Sequence, residues 1–268
     1  MADKVSALPE YNNPPVNEVV FGIQFQKIDK FETPHIGFLW EKLGRKNFSQ
    51  YKIMHPIPHI IEAPEGTKGI SPQIEAFERP PLPRLFFINS KEDQLIQVQD
   101  DRFHRNWRKL KEKDTYPRYQ NLYPEFKKSW ELFKSFIGES SLGIPSPDQY
   151  ELTYVNQLSQ GQEWTCLADI GNIFKDFQCK IDGRFLPEPE SVDWRRIYRL
   201  DNEMGRFYVS LKTALTKEAK KVMVFELTVR GFSKGPMDEW FDLAHEWIVR
   251  GFADLTTDSI QKELWQQK

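Results

Sequence analysis

The stretch HPIPH sets His55 and His59 four residues apart, with Glu62 close behind. Two imidazoles and a carboxylate are a set that zinc accepts. On a strand, however, residues four apart lie about 13 Å from each other, and Pro56 and Pro58 rule out helical spacing. Only a folded loop could gather them, and no metal is expected. His245, followed by Glu246, has the chemistry of a general base, although its place in an apolar stripe suits a packing histidine with hydrogen-bonded ring nitrogens. Asp100, Asp101, Arg102 and His245 would make an acid–base site if folding brought them into one pocket. Cys166 and Cys179 have no basic partner at a readable spacing. No glycine-rich phosphate loop follows a strand, and no nucleophile elbow appears. These residues make no positive case for an enzyme and imply no cofactor.

The stretch LIQVQDDRFHRNWRKLKEKDTYPRY, residues 95–119, carries a different chemistry. Its first half reads as a buried strand, and the rest turns basic and aromatic without core periodicity. Arg102, Arg105, Arg108, Lys109, Lys111 and Lys113 lie among Phe103, Trp107, Tyr116 and Tyr119. Interleaved cations and rings can hold phosphates and stack bases. Asp100, Asp101, Glu112 and Asp114 dilute that field, and could instead pin the arginines through charge-assisted hydrogen bonds. The candidate binding residues are therefore Asp101, Arg102, Phe103, Arg105, Trp107, Arg108, Tyr116 and Tyr119, with a structural rim, a partner site and a nucleic-acid surface as the competing roles. Gln97, Gln99 and Asp101 share a strand face opposite Ile96 and Val98, and that polar strip is expected to face water.

The elements that must position these residues follow from periodicity. NEVVFGIQFQ (17–26) alternates Val19, Phe21, Ile23 and Phe25 onto one face of a strand. Thr33 and Pro34 then open a helix whose stripe is Ile36, Leu39, Trp40 and Leu43. Shorter strands are expected at 51–61, 84–89 and 94–103, with a Pro- and Gly-rich loop over 63–83. Pro124 suits a helix start, Phe126, Trp130, Phe133 and Ile137 form its core face, and Gly138 ends it. Further on come a short helix at 165–175, a Pro-rich loop at 186–190 and strands at 195–200, 205–215 and 221–232. The last two are joined as a hairpin through TKEAKK. Pro236 opens a closing helix with Phe241, His245, Ile248, Phe252 and Leu255 on one side.

YELTYVNQLSQ (150–160) aligns with NEVVFGIQFQK (17–27): Glu18 matches Glu151, Phe21 matches Tyr154, Gln24 matches Gln157, and Phe25 matches Leu158. The expected fold is α+β, with two similar strand–helix–strands–helix halves and an antiparallel sheet covered by helices on one face. The element order is analogous to that of the TATA-binding protein. A flexible tail at 1–15, a first half at 16–139, a linker at 140–149 and a second half at 150–268 complete the plan, and the halves could share one domain.

Twenty Phe and eight Trp in 268 residues supply core area and weigh against disorder. A net charge of −2 argues against a globally basic nucleic-acid binder. Two cysteines cannot form a disulfide framework, and no window reaches 18 uninterrupted apolar residues, so a cytoplasmic protein without membrane spans is expected.

Taken in order, NPPVNEVVFGIQF, QVQDDRFHRNWR with YPRY, ELTYVNQ, and HEWIV with the late Trp265 resemble a family of sporadically distributed, uncharacterised bacterial proteins of about this length. The resemblance covers nearly the whole chain and brings no activity, cofactor or catalytic residue. Its patchy inheritance implies a toxin–antitoxin or phage-defence setting. Function is accordingly expected to be non-enzymatic and to act through a protein partner, by way of the open sheet face and the 100–119 segment. Nucleic-acid binding through that face and the basic–aromatic segment is the alternative.

Overall fold

A computed structural model describes residues 7–59, 62, 82–177, 185–201 and 204–268. The loop expected over 63–83 lies, except for its last two residues, outside the described residues, as does Cys179. Strands β1 (Val16–Phe25), β2 (Gln50–Met54), β3 (Arg84–Ile88), β4 (Gln94–Gln99) and β5 (Arg102–Arg108) come from the first half of the chain, with helices α1 (His35–Leu43) and α2 (Tyr119–Glu139). The second half supplies β6 (Pro147–Ser159), α3 (Ile170–Ile173), β7 (Asp193–Arg199), β8 (Arg206–Leu215), β9 (Lys221–Phe232), α4 (Met237–Leu255) and α5 (Asp258–Glu263). The described strands form one antiparallel nine-stranded sheet in the order β2-β3-β4-β5-β1-β6-β9-β8-β7. The α+β class and the single helical layer follow from the sequence reading.

The two halves meet at β1 and β6, which pair antiparallel in the middle of the sheet. Val20 stands opposite Thr153, the residue aligned with it in the two stretches. From this seam β5, β4 and β3 run outward on one side and β9, β8 and β7 on the other. Among the described residues, β2 gives the first side one strand more than the second.

Alternation puts Val19, Phe21, Ile23, Phe25, Phe103, Leu152, Phe225 and Leu227 under the helices, all fully or almost fully buried. Phe21 touches both long helices, stacking on Phe126 of α2 at 5.2 Å and meeting Phe241 of α4 at 5.9 Å. The helices run antiparallel over the seam. Tyr119 donates to Asp242 at 2.9 Å, Tyr123 donates to Asp238 at 2.6 Å, and Lys127 pairs with Asp238 at 2.8 Å.

Several boundaries move. The strand expected at 94–103 breaks at Asp100 and Asp101, which form a turn, and the chain returns as β5. α2 starts five residues before Pro124, because Tyr119, Leu122 and Tyr123 continue the buried stripe and the proline is accommodated inside the helix. The strand expected at 51–61 ends at Met54. Residues 147–149, read as linker, already pair in β6. The described part of the expected tail is tied down: Asn12 and Asn13 donate to the Gln266 and Trp265 carbonyls, each at 3.1 Å, and Tyr11 is buried.

Trp130 packs on Phe25, Phe103 and Phe133 with almost no exposure. Trp130→Ala is expected to cost about 3–5 kcal/mol in urea unfolding. A loss below about 1 kcal/mol, the scale of a surface change, would show that the α2 stripe is not a core face.

Candidate functional site

β5 divides the basic–aromatic segment between the two faces of the sheet. Phe103, Arg105 and Trp107 point toward the helices, while Arg102, His104, Asn106 and Arg108 point the other way. Phe103 is wholly core. Arg105 is buried among polar groups: it donates to Ser129, to Gln94 at 2.5 Å and to Glu125 at 3.3 Å. Trp107 packs on Tyr116 at 5.7 Å, and Arg108 donates to the Glu92 carbonyl at 2.6 Å. Arg102 grips Asp101 through two bonds of 2.9 and 3.0 Å and donates to the Pro58 carbonyl at 2.8 Å. Arg102 and Arg105 are thus engaged inside the fold, and Arg108 is engaged at its surface.

The sheet face away from the helices is not the open, wet surface expected of it. Gln24, Gln97, Gln99, Arg102, His104, Asn106, Gln149, Thr153 and Thr228 are all buried there. Part of the cover is the irregular segment after β2. Ile57 exchanges both backbone groups with the Gln99 amide at 2.9 and 3.0 Å, and His59 bonds Asp101 at 2.8 Å. Glu62 takes Arg206 and the Tyr208 hydroxyl on its carboxylate, while its N–H donates to Gln149 at 2.8 Å. Across the centre, Gln97 donates to Asn106, which donates to Glu18, at 2.8 and 2.6 Å. Thr153 and Thr228 share a hydroxyl bond of 2.8 Å.

His104 lies over Gly22, where a Cβ would come within 2.7 Å of its Cδ2. Glu151 flanks Gly22 on the next strand and accepts from Arg230 at 2.6 Å. Burial pushes the His104 pKa down to about 4, against the pull of Glu151. For Asp101, burial acts upward but hydrogen bonds from His59 and Arg102 bring it down to about 2. Burial likewise opposes ionisation of Glu151, but the charge and hydrogen bond of Arg230 prevail and lower its pKa.

The constellation of Asp100, Asp101, Arg102 and His245 is not assembled. Asp101 belongs to His59 and Arg102, whereas His245 stacks on Tyr119 at 4.1 Å and feels Asp242 and Glu246. His55 is exposed, and among the described residues no three His, Cys, Asp or Glu side chains gather as metal ligands. Among those residues, too, no helix is long and apolar enough to cross a membrane.

Tyr116 and Tyr119 line a cavity of about 370 Å³ on the helix side, together with Arg118, Tyr154, Asn156 and His245. The stretches NPPV, YPRY, ELTYVNQ and HEWIV, far apart in the chain, meet at it. A second opening is a groove of about 1060 Å³ at one end of the sheet, where Lys109 and Lys111 face Lys217, Lys220 and Lys221 among Glu112, Glu163 and Glu218.

The sheet's first edge has a different character. The helical layer ends at Trp40 of α1, whose ring stacks on Phe87 of β3 at 6.1 Å and meets Tyr51 of β2 edge-on at 5.2 Å. Beyond it all five β2 residues are exposed. Tyr51 and Ile53, opposite Phe87 and Leu85, lie on the apolar side of the sheet yet stay 54% and 62% exposed. At the far edge, β7 carries Arg195, Arg196 and Arg199, the charged composition that discourages edge pairing. β2 has only Lys52.

No protein-family model matches this chain, and neither does any curated protein or solved structure compared with it.

Sequence reasoning missed the polar set of His104 and Glu62, buried, with Glu151 and Arg230, half-buried, because they come from four distant segments. The available signal was Gly22 inside a strong strand, a mark of close approach.

A stability profile tests this set. His104 is neutral in the fold down to about pH 4 but protonates near 6.5 when unfolded, so the unfolded state binds more protons between those values. Its contribution is complete above pH 6.5 and is lost toward pH 4, on the order of 3 kcal/mol in all. His104→Gln is expected to flatten the urea-unfolding profile across that window. An unchanged slope would show His104 to be solvated.

Proposed function

We propose that this is a non-enzymatic binding protein that takes a protein partner along β2, by adding a strand of the partner to its sheet. One observation carries the reading: an edge strand exposed at all five positions, with apolar Tyr51 and Ile53 standing beyond the last helix. Backbone groups unpaired among the described residues, and exposed side chains beside them, are satisfied together by an extended segment with an apolar face. The contrast with the arginine-bearing β7 edge supports β2 as the receptive side. Internal duplication belongs to the same proposal. It is supported by the matching strand order about the seam and by Val20 opposite Thr153, with β2 as the strand that sets the halves apart. A toxin–antitoxin or phage-defence setting, in the bacterial cytoplasm, rests on the family resemblance alone.

The second reading, nucleic-acid binding, draws on the lysine groove of residues 109–111 and 217–221 rather than on the covered sheet face. It requires affinity that falls steeply with salt.

The test is a photocrosslinker at Lys52 in the full chain, expressed at native level in its host. The partner is expected to crosslink there, and Ile53→Asp to weaken its capture by at least about tenfold, while Arg196→Ala leaves it unchanged. Capture indifferent to Ile53→Asp, or salt-sensitive oligonucleotide binding lost in Lys217→Ala/Lys220→Ala, would replace this reading.

A further inference from the structure

The cavity beneath the start of α2 has polar groups without matching protein partners. Arg118 sits at φ 77°, ψ 152°, a region close to exclusive to glycine that costs about 1–3 kcal/mol unless its surroundings enforce it. Pro117 precedes it and α2 begins directly after it, so the strained residue delivers its guanidinium to the cavity wall. One guanidinium N–H goes to the Tyr11 carbonyl at 2.7 Å, and among the described residues no carboxylate lies within ion-pairing distance. A half-buried guanidinium without a counter-charge favours an anion.

Neighbouring groups extend the same demand. The Tyr116 and Tyr154 hydroxyls are bonded to each other at 2.7 Å. Such a pair uses one O–H proton and leaves one to donate onward. Asn156 spends its amide N–H on the Phe225 carbonyl at 3.1 Å and keeps an acceptor oxygen. The His245 ring stacks on Tyr119, and no hydrogen bond satisfies its nitrogens among the described residues. Burial holds it neutral, with a pKa down to about 4 although Asp242 and Glu246 pull upward, so among the described residues Arg118 is the cation of this wall without a carboxylate partner. Lys268, also lining the cavity, is paired with Glu10 at 3.2 Å. Glu10 and Gln120 also line the cavity, and its apolar wall is chiefly Val16, Leu227, Ile248 and Phe252.

We propose that this cavity is a binding site for a small monocarboxylate with an apolar body, its carboxylate taken by Arg118 and the spare tyrosine proton. A dianionic phosphate is disfavoured because Arg118 alone of the two lining cations is without a carboxylate partner among the described residues. The apolar body is held by Leu227, Ile248 and Phe252, and His245 and Asn156 read any polar substituent. This site lies under the helices, separate from the β2 edge, so either proposal can fail without the other.

The full-length chain is titrated with benzoate, indole-3-acetate and octanoate, and with the primary amide of each, while the His245 ring resonances are followed by NMR. At least one carboxylate is expected to saturate in or below the millimolar range and to shift those resonances, with its amide at least about tenfold weaker. Arg118→Gln is expected to remove that preference for the acid. Val249→Trp, which fills the cavity and leaves Arg118 in place, is expected to abolish binding, and it decides the matter if Arg118→Gln does not fold. No saturation by any of the carboxylates, equal binding of acid and amide, or undiminished binding by Val249→Trp would overturn the proposal.

Discussion

The antiparallel pairing of β1 with β6 is the constraint from which the rest of the molecule hangs. It joins segments more than a hundred residues apart, and it sets the register of both flanking strands, β5 and β9. A one-residue slip at the seam would turn Phe21, Ile23 and Leu152 out of the core and carry Gly22 and Glu151 into it. The helices close over the same line, with Phe21 touching both. Neither half has a complete core without the other.

The two faces of this sheet are stabilised by different physics. Under the helices, close-packed rings dominate, and burial of apolar area holds the layers together. On the opposite face a polar set is buried, and desolvation works against every ion in it. Asp101 answers with His59 and Arg102, Glu151 with Arg230, and Glu62 with Arg206 and Tyr208. Buried pairs of this kind specify geometry more than they add stability, since each loses heavily when one partner is removed. They also fix Ile57, His59 and Glu62 across the sheet, and so the point where the chain leaves β2. The β2 edge is therefore a consequence of the polar face as well as of the short helical layer.

Much of this was legible in the sequence. The alternation of Val19, Phe21, Ile23 and Phe25 and the stripe of Phe126, Trp130, Phe133 and Ile137 located the central strand and a long helix, because single-faced burial writes a clear period. β5 was not legible. Arg105 occupies an inward position that an apolar residue would ordinarily hold, and it hides the alternation that Phe103 and Trp107 otherwise display. Its compensation lies in Ser129 and Gln94, which no local pattern announces. The same cause hid the burial of Gln97 and Gln99: a polar strip reads as wet unless the segment that bonds it is known. Pro124 misled differently, since a proline several residues into a helix resembles a proline at its start. Tyr116 and Tyr119 stood among the residues singled out, but the cavity they share with Tyr154, Asn156 and His245 is a product of tertiary structure.

Hydrogen exchange across the whole chain, in the isolated protein, tests the account most directly. If one sheet is held at the seam and left unfinished at β2, the core amides of β1 and β6 exchange last and together, through global unfolding, while alternate amides of β2 exchange fast. Separate slow phases for the two halves, or full protection along β2 without a partner, would contradict it.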